Sequence, residues 1–249
     1  MTYPIEKRFM AGLPNYALTS VKYVIAHESG NRNNCGPNAL ENEIAYMNRN
    51  KANAFTSHWV GGGGRIVQIA PVNRVQYGCG PKGNPLSYAQ VELARTNDKE
   101  QFKKDYAAYI WFLRELAKEA YIPVVLDGTG NGIKSHRWIT DNLKGTTHRD
   151  PYSYLSSMGI SEAQFKNDIK NGIEVEDKKE EIKVAQPLLN DTGRTEIRAL
   201  LKKARNKIYV ADGKTKNVID PVIHTDAKIN AYTDEQLLSY QAAVINRTF

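Results

Sequence analysis

Five histidines, His27, His58, His136, His148 and His224, are the residues of this chain whose chemistry is most open to use. Imidazole titrates near neutrality and is the commonest metal ligand, so position relative to strand ends and loops decides which histidines can act. His27 follows the apolar run Val21-Lys22-Tyr23-Val24-Ile25-Ala26 and precedes the polar turn Glu28-Ser29-Gly30-Asn31. His136 follows the glycine-rich stretch Asp127-Gly128-Thr129-Gly130-Asn131-Gly132, and His148 and Asp150 share the loop Thr146-Thr147-His148-Arg149-Asp150-Pro151. Two neutral imidazoles and one carboxylate suit a catalytic zinc that keeps a fourth position open for water. Such a metal lowers the pKa of its water to about 7 and polarises an amide carbonyl. A general base is then needed, and Glu92, alone among apolar neighbours in Ala89-Gln90-Val91-Glu92-Leu93, is the available carboxylate.

Elements that could hold these residues alternate between strand and helix signals over the first ~170 positions, as in an α/β or α+β domain. Strands are expected at Val21–Ala26, Ala54–Val60, Arg65–Pro71, Ser87–Ala94 and Ile122–Leu126, the second and third joined as a hairpin by Gly61–Gly64. No Lys-Ser/Thr pair follows those glycines, which sets them apart from a phosphate-binding loop. Helices are expected at Leu40–Asn50, Asp98–Ala120 and Ser161–Asn171. The second is the strongest, with Phe102, Tyr106, Ile110, Leu113, Leu116 and Ala120 at three- and four-residue steps and Pro123 beyond its end.

Ordered along the chain, Val24-Ile25-Ala26-His27, Glu43-Ile44-Ala45-Tyr46-Met47, Val67-Gln68, Ala89-Gln90-Val91-Glu92-Leu93 and Lys134-Ser135-His136 through Asp150-Pro151 resemble the zinc-dependent N-acetylmuramoyl-L-alanine amidases. That family includes the peptidoglycan-recognition proteins, and the likeness is greatest to amidase endolysins of phages that infect Gram-positive bacteria; it spans roughly residues 15 to 172. The resemblance implies a mixed central β-sheet flanked by helices. It also implies Zn2+ held by His27, His136 and Asp150, the last fourteen residues after His136, with Glu92 activating water and His148 stabilising the oxyanion. His148 is the alternative third ligand, with Asp150 behind it. Tyr46 and His58 are candidate substrate-binding residues, each with a packing role as the other reading. Cys35 and Cys79 fit neither a disulfide framework nor a zinc knuckle and are read as incidental.

The implied reaction is hydrolysis of the amide between N-acetylmuramic acid and L-alanine in the peptidoglycan of a Gram-positive wall; the alternative is a non-catalytic peptidoglycan binder of the same fold. Glycan-chain hydrolases use paired carboxylates instead, and no second acid stands near Glu92 in sequence. The 249-residue chain is 41% hydrophobic and 24% charged, with 34 Lys+Arg against 27 Asp+Glu for a net charge of +7. This balance favours a polyanionic partner such as an anionic wall, while the absence of RNP-like aromatics, Cys/His fingers or a heptad-linked basic region argues against nucleic acid. No run approaches the ~20 apolar residues of a membrane span. The first residues lack the apolar segment of a secretory signal, so synthesis in a bacterial host cytoplasm and action on the wall after release are expected.

Domain boundaries are expected at 1–173 for the amidase-like part, 174–186 for a charged linker and 187–249 for a wall-binding or oligomerisation module. The last is read from two helix signals, Thr195–Asn206 and a helix starting at Thr233 with a capping-box pattern.

Overall fold

A computed structural model describes residues 2–173, 189–205, 208–211, 214–217 and 225–248. The expected linker at 174–186 and His224 lie outside the described residues. The chain divides into two compact units, 1–175 and 176–249.

The first unit is built on a six-stranded sheet. Its strands are β1 (Ile5–Lys7), β2 (Tyr23–Glu28), β3 (His58–Gly61), β4 (Arg65–Gln68), β5 (Ser87–Leu93) and β6 (Gly132–Ser135), in the spatial order β1-β4-β3-β5-β2-β6. Only β3 and β4 pair antiparallel; every other neighbour is parallel. Helices α1 (Ala39–Asn50), α2 (Lys99–Glu119), α3 (His136–Asn142), α4 (Tyr152–Ser157) and α5 (Glu162–Asn171) complete it.

Alternation along the central strands sorts side chains between the two faces. Val24 and Ala26 of β2 and Ala89, Val91 and Leu93 of β5 bury against the α2 side, where Tyr109, Ile110, Phe112 and Leu113 meet them. Tyr23 and Ile25 face the opposite side, packing with Cys79 and Ile139. Full burial of each large side chain is worth roughly 1.5–3 kcal/mol, so this two-faced core supplies much of the stability. On the outer flank, Leu40 and Ile44 of α1 pack with Phe55, Trp59, Val67 and Ile69.

The β3–β4 turn runs through Gly62, Gly63 and Gly64, all with positive φ (62°, 89° and 93°) that side chains rarely adopt. Buried Asp105 of α2 clamps it, accepting the N–H groups of Gly63 (2.7 Å) and Gly64 (2.6 Å) on one oxygen.

Ile122–Leu126 does not form the expected strand. Pro123 has no N–H for a ladder, Val125 N–H turns back to the Pro123 carbonyl, and only an isolated bridge joins Leu126 to Ile133. The strand beside β2 is instead β6, hidden in sequence because Lys134 and Ser135 look solvent-facing. Lys134 is in fact fully buried, its ammonium over the Trp138 ring at 4.3 Å and near Tyr23 at 5.8 Å.

The second unit contains α6 (Asp191–Ala204), a hairpin of β7 (Ile208–Ala211) and β8 (Lys214–Asn217), α7 (Asp226–Asn230) and α8 (Asp234–Thr248). Ile197, Leu201, Ala204, Ile229, Leu237 and Val244 form its core, and Arg194 grips Asp234 through Nε (2.7 Å) and Nη2 (2.9 Å). The capping box closes, with Thr233 N–H on Gln236 Oε1 at 3.0 Å and Gln236 N–H on Thr233 Oγ1 at 3.4 Å. Its hairpin and α7 escaped a reading based on helix periodicity.

Asp98 caps α2 by accepting the N–H groups of Glu100 (2.8 Å) and Gln101 (3.1 Å). Asp98→Ala is expected to destabilise the fold by about 1 kcal/mol in denaturant titration, without change in metal content.

Candidate metal centre and active site

His27 closes the carboxyl end of β2, where parallel sheets place their ligand sites. Its own carbonyl accepts the Tyr109 hydroxyl at 2.8 Å, pinning the strand end to α2. His136 is the first residue of α3, immediately after β6. Ser135 caps that helix and is itself held by Asp127, which accepts both its N–H and its hydroxyl at 2.7 Å. Asp150 arrives from the loop before α4, and the Arg137 N–H donates to its carbonyl at 3.2 Å.

These three side chains converge. His27 Nδ1 lies 3.1 Å from Asp150 Oδ2 and His136 Nδ1 3.1 Å from Asp150 Oδ1, with the two rings edge-on at 87°. One ligand-type atom from each residue lies within 4.8 Å of the others. The far nitrogens are occupied, His27 Nε2 by Gln90 Oε1 at 3.0 Å and His136 Nε2 by Thr146 Oγ1 at 3.0 Å.

This donor set fits a cation. Gln90 Oε1 can only accept, so the neutral His27 ring carries its proton on Nε2 and turns a lone pair on Nδ1 towards the Asp150 carboxylate. Two acceptors facing each other in a buried site call for a proton or a metal ion between them. The buried His136 Nδ1, on the other Asp150 oxygen, makes no hydrogen bond. Electrostatics carry the same signature. Burial lowers the His27 pKa, but Glu92 and Asp150 together overcome it and lift the value to about 9. Burial raises that of Asp150, yet His136 and His27 hold it far below the usual carboxylate range. His136 is lowered by burial and by the neighbouring imidazoles, against the pull of Asp150.

Glu92 is the register partner of His27 across β5 and β2, so both project to the same face. Burial, opposed by His27, raises its carboxyl to about 8, and Oε2 has no hydrogen-bond partner. It lines a small cavity of about 230 Å3 with Tyr46, Trp59 and Glu43. Tyr46 is 59% exposed there, so it serves the cavity and not the core. His148 is exposed and stacks on His136 (4.9 Å between centroids, 13°), with Nδ1 3.9 Å from Asp150 Oδ1; it stands outside the converging donor set. Thr140 Oγ1 donates to the His148 carbonyl at 2.6 Å and fastens the loop to α3. A cleft of about 1000 Å3 opens here, lined by His136, His148, Thr146, Tyr77, Asn84 and Asn53 among others.

His58 requires a correction as a substrate-binding candidate. Its register partner is Val91, on the α2 face, and its ring is buried edge-on against Phe112 at 4.6 Å. Strand alternation gives the site-facing position to Trp59, paired with Glu92. Cys79 is buried, which pushes its thiol to about 12, and Cys35 is a second free cysteine; neither joins the donor set. Four contributors escaped the sequence reading: Gln90, Thr146, Glu43 and the buried Glu28–Arg95 pair, with both bonds at 2.6 Å. Gln90 alone carried a signal, lying two residues before Glu92 and therefore on the same strand face.

Two histidines and an aspartate thus offer a cation three ligand atoms, with a half-buried glutamate beside them at a sheet's carboxyl edge. The family model described as N-acetylmuramoyl-L-alanine amidase matches residues 17–153, and the chain belongs to that family. It is 52% identical over 171 residues to an endolysin of Listeria phage A511, covering 67% of this chain and 49% of that one. It is 42% identical over 173 residues to the lytic amidase of Streptococcus pneumoniae phage HB-3, covering 68% of this chain and 53% of the relative. The chain thus spans about half the length of these curated relatives. Among solved structures, the Staphylococcus aureus hydrolase AmiA in complex with its ligand aligns with a TM-score of 0.62 at 26% identity, over 68% of this chain and 83% of that one.

Burial depresses the His58 pKa to about 3, whereas the unfolded ring titrates near 6.5. Its neutral burial therefore contributes full stability above about pH 6.5, lost as acid protonates the unfolded chain. His58→Leu is expected to remove up to about 1.4 kcal/mol of destabilisation per pH unit between pH 6 and 4, while metal binding persists; denaturant titration across pH reads both.

Proposed function

We propose that this chain is a zinc-dependent peptidoglycan hydrolase that cleaves the amide between the lactyl group of N-acetylmuramic acid and L-alanine. The observation that carries this reading is the convergence of His27, His136 and Asp150, with Glu92 in register beside His27, in a chain of the amidase family. Relatives named an endolysin and a lytic amidase support the same chemistry. Two imidazoles and one carboxylate favour Zn2+ among divalent ions, and leave room for water and a carbonyl oxygen.

When bound by these three residues, zinc supplies acidification of a water molecule and polarisation of the scissile carbonyl. Glu92, half-buried with one oxygen unpartnered, takes a proton from the attacking water as its oxygen bonds to the carbonyl carbon. His148, exposed at the cleft edge, donates to the oxygen that gains negative charge. Glu92 then returns the proton to the alanine nitrogen, the C–N bond breaks, and the new carboxylic acid passes its remaining proton to the amine, so that a carboxylate and an ammonium leave. Tyr46 flanks the same cavity and contacts substrate. Residues 187–249, within the second unit, act as a wall-targeting module, a role supported by their basic composition and by an apolar core of their own.

With purified Gram-positive walls, the native chain is expected to release stem peptides with N-terminal L-alanine and intact glycan, stopping on chelation and resuming on zinc addition. Glu92→Ala is expected to lose about a hundredfold or more in rate while retaining one zinc, read by mass spectrometry of products and by metal analysis. Cleaved glycan would overturn the amidase reading, and wall binding without cleavage would favour the recognition-protein alternative. A chain ending near Lys183 is expected to bind walls several-fold more weakly yet cleave soluble muropeptides at the native rate; unchanged wall binding would remove the targeting role.

A further inference from the structure

The two histidines of the centre are held differently at their far nitrogens. His136 Nε2 meets the Thr146 hydroxyl, which can donate or accept and so imposes no tautomer. His27 Nε2 meets the Gln90 amide oxygen, and that amide cannot turn over. Its Nε2 group faces two acceptors, the Gln76 carbonyl at 3.4 Å and Asn84 Oδ1 at 3.3 Å. Asn84 Oδ1 is in turn fixed as an acceptor by the backbone N–H of Cys79 at 2.9 Å. A backbone N–H has only one sense, so Asn84 Oδ1 is an acceptor, Gln90 Nε2 donates to it, and Gln90 Oε1 is left to accept from His27 Nε2–H.

Packing blocks any escape from this arrangement. Gln90 is fully buried, and its own N–H is shared between Ser57 Oγ at 3.1 Å and Gln76 Oε1 at 3.0 Å. Gly78 lies so close that a Cβ there would stand 2.3 Å from Gln90 Oε1 and 2.8 Å from Thr56 Cγ2. Gly78 and Asn84 also line the large cleft, so its floor and the metal site are one hydrogen-bonded assembly.

We infer that Gln90 is a positioning residue that sets metal affinity by fixing His27 with Nε2–H outward and its Nδ1 lone pair inward, tying the centre to the cleft floor of residues 76–84. This rests on the metal-dependent reading proposed above. An imidazole free to exchange tautomers or to rotate presents the ligand lone pair for only part of the time, and losing such a partner typically costs 10–100-fold in metal affinity.

The test is zinc affinity of the full chain by competition with a chromophoric chelator, together with the visible spectrum of the cobalt-loaded protein. Gln90→Met keeps the volume and removes the acceptor; it is expected to weaken zinc binding 10–100-fold and to alter the cobalt spectrum. Gln90→Glu keeps an oxygen opposite His27 and, with its other oxygen protonated to donate to Asn84 Oδ1 as the amide does, is expected to bind zinc within about threefold of native. Ser57→Ala removes the hydroxyl that accepts the Gln90 N–H and donates to the Gln90 carbonyl without touching the side-chain amide, and is expected to leave affinity and spectrum unchanged. Thermal unfolding of the metal-free variants checks that each is folded. Native affinity in Gln90→Met, equal losses in Gln90→Met and Ser57→Ala, or a loss in Gln90→Glu as large as in Gln90→Met would overturn the role. Should Gln90→Met fail to fold, Gln90→Leu, which also removes the acceptor, carries the same expectation: a 10–100-fold loss beside an unchanged Ser57→Ala supports the role, and native affinity overturns it. A native chain that takes up no metal would remove the centre itself and the role with it.

Discussion

The carboxylate of Asp150, buried between two imidazole nitrogens at 3.1 Å each, is the constraint on which the rest of the first unit depends. A carboxylate taken out of water without compensation is costly, and the two rings compensate it only if all three side chains are delivered accurately. They come from a strand end, a helix start and a loop, far apart in sequence. Each has its own brace: the Tyr109 hydroxyl on the His27 carbonyl, Asp127 on Ser135 before His136, and the Arg137 N–H on the Asp150 carbonyl. The braces reach back to α2, to α3 and to Tyr152 of α4, whose hydroxyl also bonds Asp127. Core packing and site geometry are therefore one problem: the aromatic α2 that fills one face of the sheet also carries the hydroxyl that holds the first ligand.

The sheet separates chemistry from packing by alternation alone. In one row stand His27, Glu92 and Trp59; in the adjacent row stand Ala26, Val91 and His58. The first row faces away from α2, with His27 in the metal-ligand cluster and Glu92 and Trp59 on the small cavity, and the second faces α2. A one-residue slip in β5 would turn Glu92 into the core and Val91 towards the small cavity, so register is specified as strongly by the site as by the hydrophobic pattern. His58 illustrates the rule from the other side. It carries a reactive ring, yet its row makes it a packing residue, buried and neutral against Phe112.

What could be read from the chain beforehand follows the strength of local signals. Asp98–Ala120 was legible because its apolar residues recur over six turns and a capping aspartate precedes them. The glycine hairpin was legible because only a turn uses such a run between two β-like segments. His27 was legible as the polar end of a buried strand, and Asp150 only through the order of motifs shared with a known family. β6 was not, because a four-residue strand with a buried lysine breaks the polarity pattern, its cost offset by the Gly128 carbonyl, the Trp138 ring and the Tyr23 ring, the last more than a hundred residues away. The partners of His27 and His136 were equally hidden, since amides and hydroxyls gain meaning only from what the fold sets opposite them.

Charge is divided in the same manner. The chain as a whole carries +7, suited to approaching the anionic wall proposed as its target, yet its centre gathers Asp150, Glu92, Glu43 and Glu28. Arg95 neutralises Glu28 through two bonds at 2.6 Å, and Asn31 and Asn34 satisfy Glu43 through their amides at 3.0 and 2.7 Å. Neither arrangement supplies positive charge to Asp150 or Glu92. Those two carboxylates are left to a proton on His27 or to a metal cation, and a cation bound there competes with that proton for the same lone pair. The long-range field thus suits encounter with the proposed polyanion, while the local field is left to the cation proposed between the three side chains.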